Sequence, residues 1–522
     1  MAYIIEQKIK DRIYLYEVKS FWDKDKKQAR QKRKYLGPKE RIYKKRNNDH
    51  SVKSDIQVKP SSFVSKSYGD TFLTRSIQKE LGLIDLLKEH FKDDYKEILA
   101  LSNFLFQESS PSYLFPFWQE DHCLGDISKI NSSSLSALYE RIGRNELGRL
   151  EFMKDWGNHI NPTSGIYYDI TSVSSYSENN EYVEWGYNRD KECLPQINIG
   201  FTHCSKTSLP LSYNIHPGSI VDVSTLKNTI KLFNLFNLKN LFFILDRGFC
   251  SVANLKEMYQ NKMCFIQPLS FNLKKAKGLI SKHKSNISTP QNAFGCGKEL
   301  LYHTQDKIEF DKIKLDAHIF FNEKVAIDYK HYIYKIILEI ESKFKAFENN
   351  EESKKYLEDN IQTKYKKYFK SEGKSILRNE EVIENAIFRA GTIIFVINGK
   401  KLSNLEIIQS YRNRDKIEKE INALKNQIDT KRIRAHNKNT ANGRLFVKFI
   451  ALIQHSKIMN VIKKNEKLKN YSLSEIMSEL KKLKLNCFNA DDKFLSELTK
   501  KHKLIFKAFD IDIDKLKQFH GY

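Results

Sequence analysis

Two kinds of apolar periodicity follow one another along this chain of 522 residues. Residues 3–36 alternate as strands do around a polar run at 23–34, which predicts a basic β-hairpin closed by Leu36-Gly37-Pro38. Apolar residues then recur at helical spacing from Leu73 to Phe91 and begin a helical region that extends to about residue 158.

The pattern changes abruptly after residue 160, where short apolar runs predict strands. Three of them, at 166–170, 196–203 and 211–215, have short connections and indicate an antiparallel meander. An amphipathic helix, an apolar strand at 241–245, a helix from about Val252 and a strand at 264–267 follow. This order favours an α/β domain.

Residues 271–390 break that rhythm with Lys-rich sequence and a predicted helix at 324–347. Strand-like sequence resumes at 391–398 and leads into a long helix from about Asn404, and both need a sheet to join. We therefore predict an insertion inside one α/β domain. The predicted boundaries are 1–60 (basic hairpin, binding DNA ends), 61–160 (helical, DNA-binding or dimerising), 161–270 (core), 271–390 (insertion), 391–460 (core) and 461–522 (basic, helical).

The positive charge is concentrated at the two ends of the chain. Residues 1–60 hold 18 Lys and Arg against 8 Asp and Glu, and residues 431–522 hold 21 against 9, whereas the middle of the chain is nearly balanced. The formal net charge is +25. Such ends suit a polyanion, of which nucleic acid is the usual one, although a Lys-rich proteome would give a similar composition.

The seven cysteines are dispersed and include no C-x-x-C pair, so neither a disulfide framework nor a zinc ribbon is predicted. We expect a reducing, cytoplasmic compartment. Apolar runs look too short for a membrane span of roughly 20 residues, so no membrane partner is expected.

Two aspartates, Asp169 and Asp246, stand at the ends of predicted apolar strands. A carboxylate after a doubly buried strand is poorly solvated and needs a counter-charge, which a divalent metal supplies. Aspartates that end strands are also common turn formers, so either one alone is weak evidence.

A helix at 411–431 carries a charged stripe that borders its apolar face. At about 100° per residue, Arg414, Glu418 and Lys425 all fall within about 60° of Tyr411, whereas Glu420 lies opposite. Glu418 is thereby placed where it could meet carboxylates from strands. A solvated helix with pairs such as Arg414 and Glu418 gives the same phasing.

The spacing of Tyr411, Arg414, Glu418 and Lys425 resembles the Y-R-E-K signature of the DDE transposases of bacterial insertion sequences. In that group an RNase H-like core is interrupted before the catalytic glutamate. Further blocks accompany the signature in order: Tyr168-Asp169-Ile170-Thr171-Ser172, Gly186-Tyr187-Asn188-Arg189-Asp190, Pro195-Gln196-Ile197, Pro217-Gly218-Ser219 with Asp222, and Leu245-Asp246-Arg247-Gly248.

The resemblance implies an α/β fold with an RNase H-like core, a mixed sheet with flanking helices. It implies that Asp169, Asp246 and Glu418 are catalytic and hold two Mg²⁺ ions, for which Mn²⁺ can substitute. Hard oxygen ligands suit both ions, which could activate a water or a 3′-hydroxyl for displacement at phosphorus. The implied partners are DNA, both terminal inverted repeats and target DNA, and a second copy in a homodimer on that DNA, in the bacterial cytoplasm.

The same resemblance implies that Tyr411, Arg414 and Lys425 contact the terminal DNA. Arg247 could contact the cleaved strand or pair with a carboxylate, and Arg189 lies in a loop that could face substrate or be a solvated turn. A basic helix over Lys431–Arg444 is predicted to lie along DNA, through Lys431, Arg432 and Arg434.

Two other functions fit the sequence. A nuclease of the same fold would hydrolyse DNA without joining it, and a silent, transposase-derived regulator would bind DNA without cutting. Three carboxylates beside DNA argue against the regulator, because they repel phosphates unless metal is bound.

Overall fold

The structure is a computed structural model, and it describes residues 2–9, 12–23, 28–38, 63–108, 110–161, 165–187, 192–220, 222–236, 241–344, 350–372, 375–414, 432–488 and 493–518. These residues form two compact units. Those up to Phe63, together with Phe488, make the first unit, and the others make the second.

The first unit contains a three-stranded antiparallel sheet where the sequence predicted a hairpin. Its strands are β1 (Ala2–Ile9), β2 (Arg12–Asp23) and β3 (Gln28–Pro38), in the order β1-β2-β3. The polar run was wrongly excluded from the strands, since residues 28–34 pair with β2. Both faces of β3 are exposed over this run, so no alternation of apolar residues marks it as a strand.

The first two helices of the second unit lie in a stretch that the sequence analysis interpreted as one helical run. Gly82 separates them with a φ of 68°, a left-handed conformation that costs little only for glycine. Helices before the large sheet are α1 (Gly69–Glu80), α2 (Leu83–His90), α3 (Tyr95–Glu108), α4 (Phe115–Asp121), α5 (Ser132–Arg144) and α6 (Glu146–Ile160).

A nine-stranded mixed sheet runs through the described part of the second unit in the order β10-β11-β12-β15-β9-β8-β5-β6-β7. The predicted meander is confirmed, because β5, β6 and β7 pair antiparallel. Strands β8 and β9 run parallel to β5. Bounds of these strands are β5 (Ile166–Ser174), β6 (Gln196–Cys204), β7 (Pro210–Pro217), β8 (Phe242–Ile244), β9 (Cys264–Pro268) and β15 (Thr392–Asn398). The helices among them are α7 (Asp222–Leu235), α8 (Val252–Gln260) and α9 (Lys274–His283).

The segment predicted as an insertion contributes to the same sheet. Strands β10 (Ala293–Cys296), β11 (Glu299–Phe310) and β12 (Ile313–Phe321) extend it, with β12 pairing with β15. Only the later part packs around its own core, centred on Ile337 and Tyr368. That part comprises α10 (Glu323–Phe344), α11 (Asn350–Asp359), α12 (Thr363–Lys366), β13 (Phe369–Glu372), β14 (Ser375–Arg378) and α13 (Glu380–Arg389).

Helix α14, described over 404–414, follows β15, and α15 (Lys438–Lys464) is the central helix of the unit. By length and composition α15 could cross a membrane, with an 18-residue window of mean hydropathy 1.4, a run that the sequence reading overlooked. Most of that window, 72%, is buried in protein, as in a core helix. Helix α5 approaches α15 closely: a Cβ on Gly443 would lie 1.9 Å from the Tyr139 carbonyl oxygen.

The basic C-terminal region is not purely helical. It contains α16 (Leu473–Leu480), β16 (Lys484–Cys487), β17 (Lys493–Leu495) and α17 (Lys500–Ala508). Strand β16 pairs with β4 (Val64–Ser67), which precedes α1. The predicted 61–160 and 461–522 segments therefore share a small sheet.

Candidate functional site: two aspartates and an arginine

Asp169 and Asp246 lie at the same level of two neighbouring parallel strands. Tyr167 of β5 is in register with Ile244 of β8, and each aspartate follows its strand partner by two residues. Because side chains alternate along a strand, residues two apart lie on one face. The register therefore brings together two carboxylates that the sequence placed on separate strands.

Hydrogen bonds hold the backbone at Asp246. Its carboxylate accepts from the Gly248 amide at 3.2 Å, capping the short 3₁₀ turn Arg247–Phe249. The buried Gln267 side chain of β9 donates to the Asp246 carbonyl oxygen at 2.7 Å. Sequence reasoning missed Gln267, although a polar residue inside an otherwise apolar strand was its signal.

Arg414 lies between the two carboxylates. Its Nη1 is 3.1 Å from Asp246 Oδ1, and its Nη2 is 3.7 Å from Asp169 Oδ1. The arginine side chain is 6% exposed, whereas those of Asp169 and Asp246 are 24% and 36% exposed. A buried guanidinium needs compensating charge, and two carboxylates that face each other need a cation. Arg414 therefore supplies the opposite charge for both aspartates.

Packing of α14 positions Arg414. Ile407 and Ile408 are buried against the sheet, and the Tyr411 ring lies 4.9 Å from that of Phe395. Tyr167 donates a hydrogen bond to the Ser410 carbonyl oxygen at 2.9 Å. Burial, with Cys204 nearby, raises the pKa of Tyr167, so its hydroxyl remains a donor. One residue of the Tyr-Tyr-Asp run thus links β5 to the helix that carries Arg414.

Other predicted site residues are dispersed. Tyr411 packs against Phe395 in the core beside α14, and the Arg247 guanidinium stacks over the Phe271 ring at 5.2 Å. Arg432 pairs with Glu192 at 3.7 Å, and Arg434 is exposed. Four more predicted residues lie outside the described ranges: Glu418, Lys425, Arg189 and Lys431.

The predicted basic helix over Lys431–Arg444 is wrong in its first part. Arg432 forms a β-bridge with Ser174, and the helix begins only at Lys438, where the Asn437 side chain accepts from the Thr440 amide at 2.8 Å. Ile433 and Ala435 alternate as buried residues, which is an extended pattern.

Arg444, the last residue of that predicted helix, stacks on the Tyr139 ring with its Cζ 4.6 Å from the ring centroid. This contact ties α15 to α5. A guanidinium that packs on a buried ring between two helices contributes to the fold, so its predicted place along DNA has no support in this geometry.

The aspartate pair fits a divalent cation. Carboxylate oxygens are the hard ligands that Mg²⁺ and Mn²⁺ prefer, and a positive charge already lies between Asp169 and Asp246. Elsewhere in the described ranges, Glu89, His90 and Asp155 could also surround a metal. There, however, His90 Nε2 is within hydrogen-bonding distance of Asp155, at 2.9 Å, and its Nδ1 lies 3.8 Å from Glu151, so these contacts account for the cluster.

Comparison with known proteins identifies a family to which the sequence is similar. A sequence profile described as Transposase DDE domain matches residues 161–454, more than half of the chain, from shortly before β5 into α15. Among solved structures, a piggyBac transposase synaptic complex with hairpin DNA has a TM-score of 0.33 at 11% identity, covering 79% of this chain and 70% of that one. At this level the likeness supports no inference. No curated protein matches the sequence.

Proposed function

The chain belongs to the transposase DDE domain family, and from this premise we propose that it cuts DNA at the ends of an insertion sequence and joins the freed ends to target DNA. Asp169, Asp246 and Glu418 are the proposed catalytic carboxylates. The observation that carries the proposal is the buried Arg414 guanidinium within ion-pairing distance of both aspartates. A pair of carboxylates that already surrounds a cation suits phosphoryl transfer on a polyanion.

Members of the DDE transposase family use divalent metal ions. We propose Mg²⁺, which would be held by Asp169 and Asp246 together with Glu418. When bound, such ions activate the attacking water or 3′-hydroxyl and stabilise the leaving oxygen. The protein's own contribution is to hold the carboxylates in register, through β5, β8 and Gln267, and to supply positive charge from Arg414.

The N-terminal sheet is the proposed surface for the terminal inverted repeats. Lys19 lies directly opposite Lys32, and Lys34 follows on the same face of β3, all exposed. Like charges opposite each other in a sheet are destabilising, and binding of a polyanion to this face would compensate their repulsion. The proposed assembly is a homodimer on DNA, which would allow two ends to be processed together.

Cleavage of a supercoiled plasmid that carries the gene with its flanking DNA tests the proposal. With Mg²⁺ or Mn²⁺ we expect cuts at the element ends, and Asp169→Asn or Asp246→Asn should lower the rate by about 10³-fold or more while DNA binding persists. Asp328→Asn, at an exposed aspartate of α10, is the matched control. An Asp246→Asn protein that cuts at the normal rate would contradict the assignment.

A pre-cleaved end separates joining from hydrolysis. The proposed transposase joins such an end to target DNA, whereas a nuclease of the same fold only hydrolyses. Binding without metal-dependent cutting or joining would instead identify a DNA-binding regulator.

A further inference from the structure

Three aromatic side chains are displayed to solvent on the segment that follows β5. Tyr176, Trp185 and Tyr187 are 65%, 69% and 80% exposed. Large aromatic residues gain most from burial, so several exposed together on one short segment indicate a contact surface.

The backbone that carries these rings is firmly anchored. Glu184 and Gln196 exchange two backbone hydrogen bonds, of 2.9 and 3.1 Å, and the Gln196 side chain donates to the Tyr187 carbonyl oxygen at 2.8 Å. A Cβ on Gly186 would lie 2.0 Å from the Gly218 carbonyl oxygen, so this stretch packs directly on a neighbouring backbone. The backbone that carries Trp185 and Tyr187 is therefore held in place, and both rings project from it into solvent.

Two cations lie against aromatic rings of this segment, and each also pairs with a carboxylate: Arg432 with Glu192 and Lys438 with Glu181. The Arg432 guanidinium stacks over Tyr176 with its Cζ 4.7 Å from the ring centroid, and the Lys438 ammonium is 5.5 Å from the centroid of Tyr182 on the same segment. Aromatic faces beside cations are the combination that binds single-stranded nucleic acid, where bases stack and phosphates meet positive charge.

The segment starts close to the aspartate pair. Ser174 ends β5 five residues after Asp169, about 16 Å along an extended strand at about 3.3 Å per residue. The β-bridge between Ser174 and Arg432 brings the cation that stacks on Tyr176 to this end of the strand. A strand of DNA whose phosphate lay at Asp169 would reach the end of β5, where this segment begins, within a few nucleotides.

We propose that Tyr176, Trp185 and Tyr187 form a stacking surface for unpaired bases of the DNA strand held at Asp169 and Asp246. Bases within a duplex stack on one another, so their faces are not accessible, whereas unpaired bases can stack on exposed rings. The inference rests on the proposed function, because it takes DNA as the ligand, and adds which part of that DNA is recognised and by which side chains.

The test uses the full chain without divalent metal, so that no DNA is cut. Fluorescence anisotropy compares a blunt duplex of the gene-flanking DNA with the same duplex bearing a short unpaired extension. We expect tighter binding of the extended duplex, and Trp185→Ala with Tyr187→Ala to reduce that preference by about tenfold or more. Blunt-duplex binding should change little. Trp185→Phe should keep most of the preference, and Phe117→Ala, at an exposed ring of α4, should keep all of it.

A measurement on the unaltered protein is independent of the variants' folding. With 2-aminopurine in the extension, stacking should quench its fluorescence on binding. Absent quenching, or an unchanged preference in the double variant, would overturn the stacking surface. Loss of self-association in that variant, with DNA preference retained, would assign the rings to a contact between copies instead. If the unaltered protein bound neither DNA, the proposed function itself would fail.

Discussion

Positive charge is used in opposite ways in the two units of this protein. On the N-terminal sheet, Lys19, Lys32 and Lys34 share one exposed face, and two of them oppose each other directly. In the second unit Arg414 is buried between two carboxylates that pair with it. Exposed charges cost the fold little and remain available to a partner, whereas a buried charge is part of the fold and cannot be removed without leaving its partners uncompensated.

The largest effect of removing a buried charge is expected at Asp70, a fully buried acid at the start of α1. Ser67 donates to it at 2.8 Å, and His122 Nε2 lies 3.1 Å from its other oxygen. We expect Asp70→Asn to lower the free energy of unfolding by about 3 kcal/mol, because it replaces a buried carboxylate that Ser67 and His122 contact. Urea denaturation measures this, and a loss below about 1 kcal/mol would remove the contrast between buried and exposed charges.

The contribution of Asp70 should also appear in the dependence of stability on pH. Burial alone would raise the pKa of Asp70, but hydrogen bonding and charge interaction with His122, helped by Ser67 and Lys481, outweigh it and lower the pKa. A carboxyl whose folded pKa is depressed stabilises the fold above its unfolded pKa of about 3.9, and that stability disappears as pH falls through the folded value. Asp70→Asn should therefore flatten the dependence of stability on pH below about pH 4. An equally steep dependence in the variant would contradict this role.

Arg414→Gln should cost less, about 2 kcal/mol in the absence of divalent metal, because both partner carboxylates are partly exposed and water compensates them in part. Adding Mn²⁺ should restore part of the loss, since it supplies the missing positive charge. Chemical denaturation with and without Mn²⁺ measures both effects. A variant as stable as the unaltered protein without metal would show that the guanidinium is not needed between the aspartates.

Replacing Lys19, Lys32 and Lys34 together by Gln should change stability least, by less than about 0.5 kcal/mol. It should nevertheless weaken DNA binding and reduce the slope of log affinity against log salt by about 2.7, at about 0.9 per lost phosphate contact. The same change at Lys307 of β11, Lys312 of the following turn and Lys314 of β12, all exposed, is the control for net charge. Equal weakening by both triple variants would remove any special role for the N-terminal sheet.

Sequence patterns predicted the elements around the two aspartates well where burial leaves a clear signal. Apolar runs identified β5 and β8, and helical phasing placed Arg414 at the border of a buried face, where it is indeed almost fully buried. Which strands are neighbours could not be read in the same way, because the pairing of β5 with β8 joins segments distant in sequence. The contact of one arginine with both aspartates depends on that pairing.

The errors arose where the periodic signal is absent or misleading. Strand β3 is exposed on both faces over its polar part, so nothing alternates there. Strands β10 to β12 lie in the Lys-rich segment predicted as an insertion, and the pairing of β12 with β15 makes them part of the large sheet. The stretch before α15 is charged and was interpreted as helix, although Asn437 caps the helix later.

The affinity of the protein for Mn²⁺, measured by titration calorimetry, tests most directly whether Asp169 and Asp246 form a cation site for which Arg414 and a metal ion compete. We expect Arg414→Gln to bind Mn²⁺ about tenfold more tightly than the unaltered protein, because the competing positive charge is gone. Asp246→Asn should abolish that binding. Unchanged or weaker Mn²⁺ affinity in Arg414→Gln, or full affinity in Asp246→Asn, would contradict the assignment.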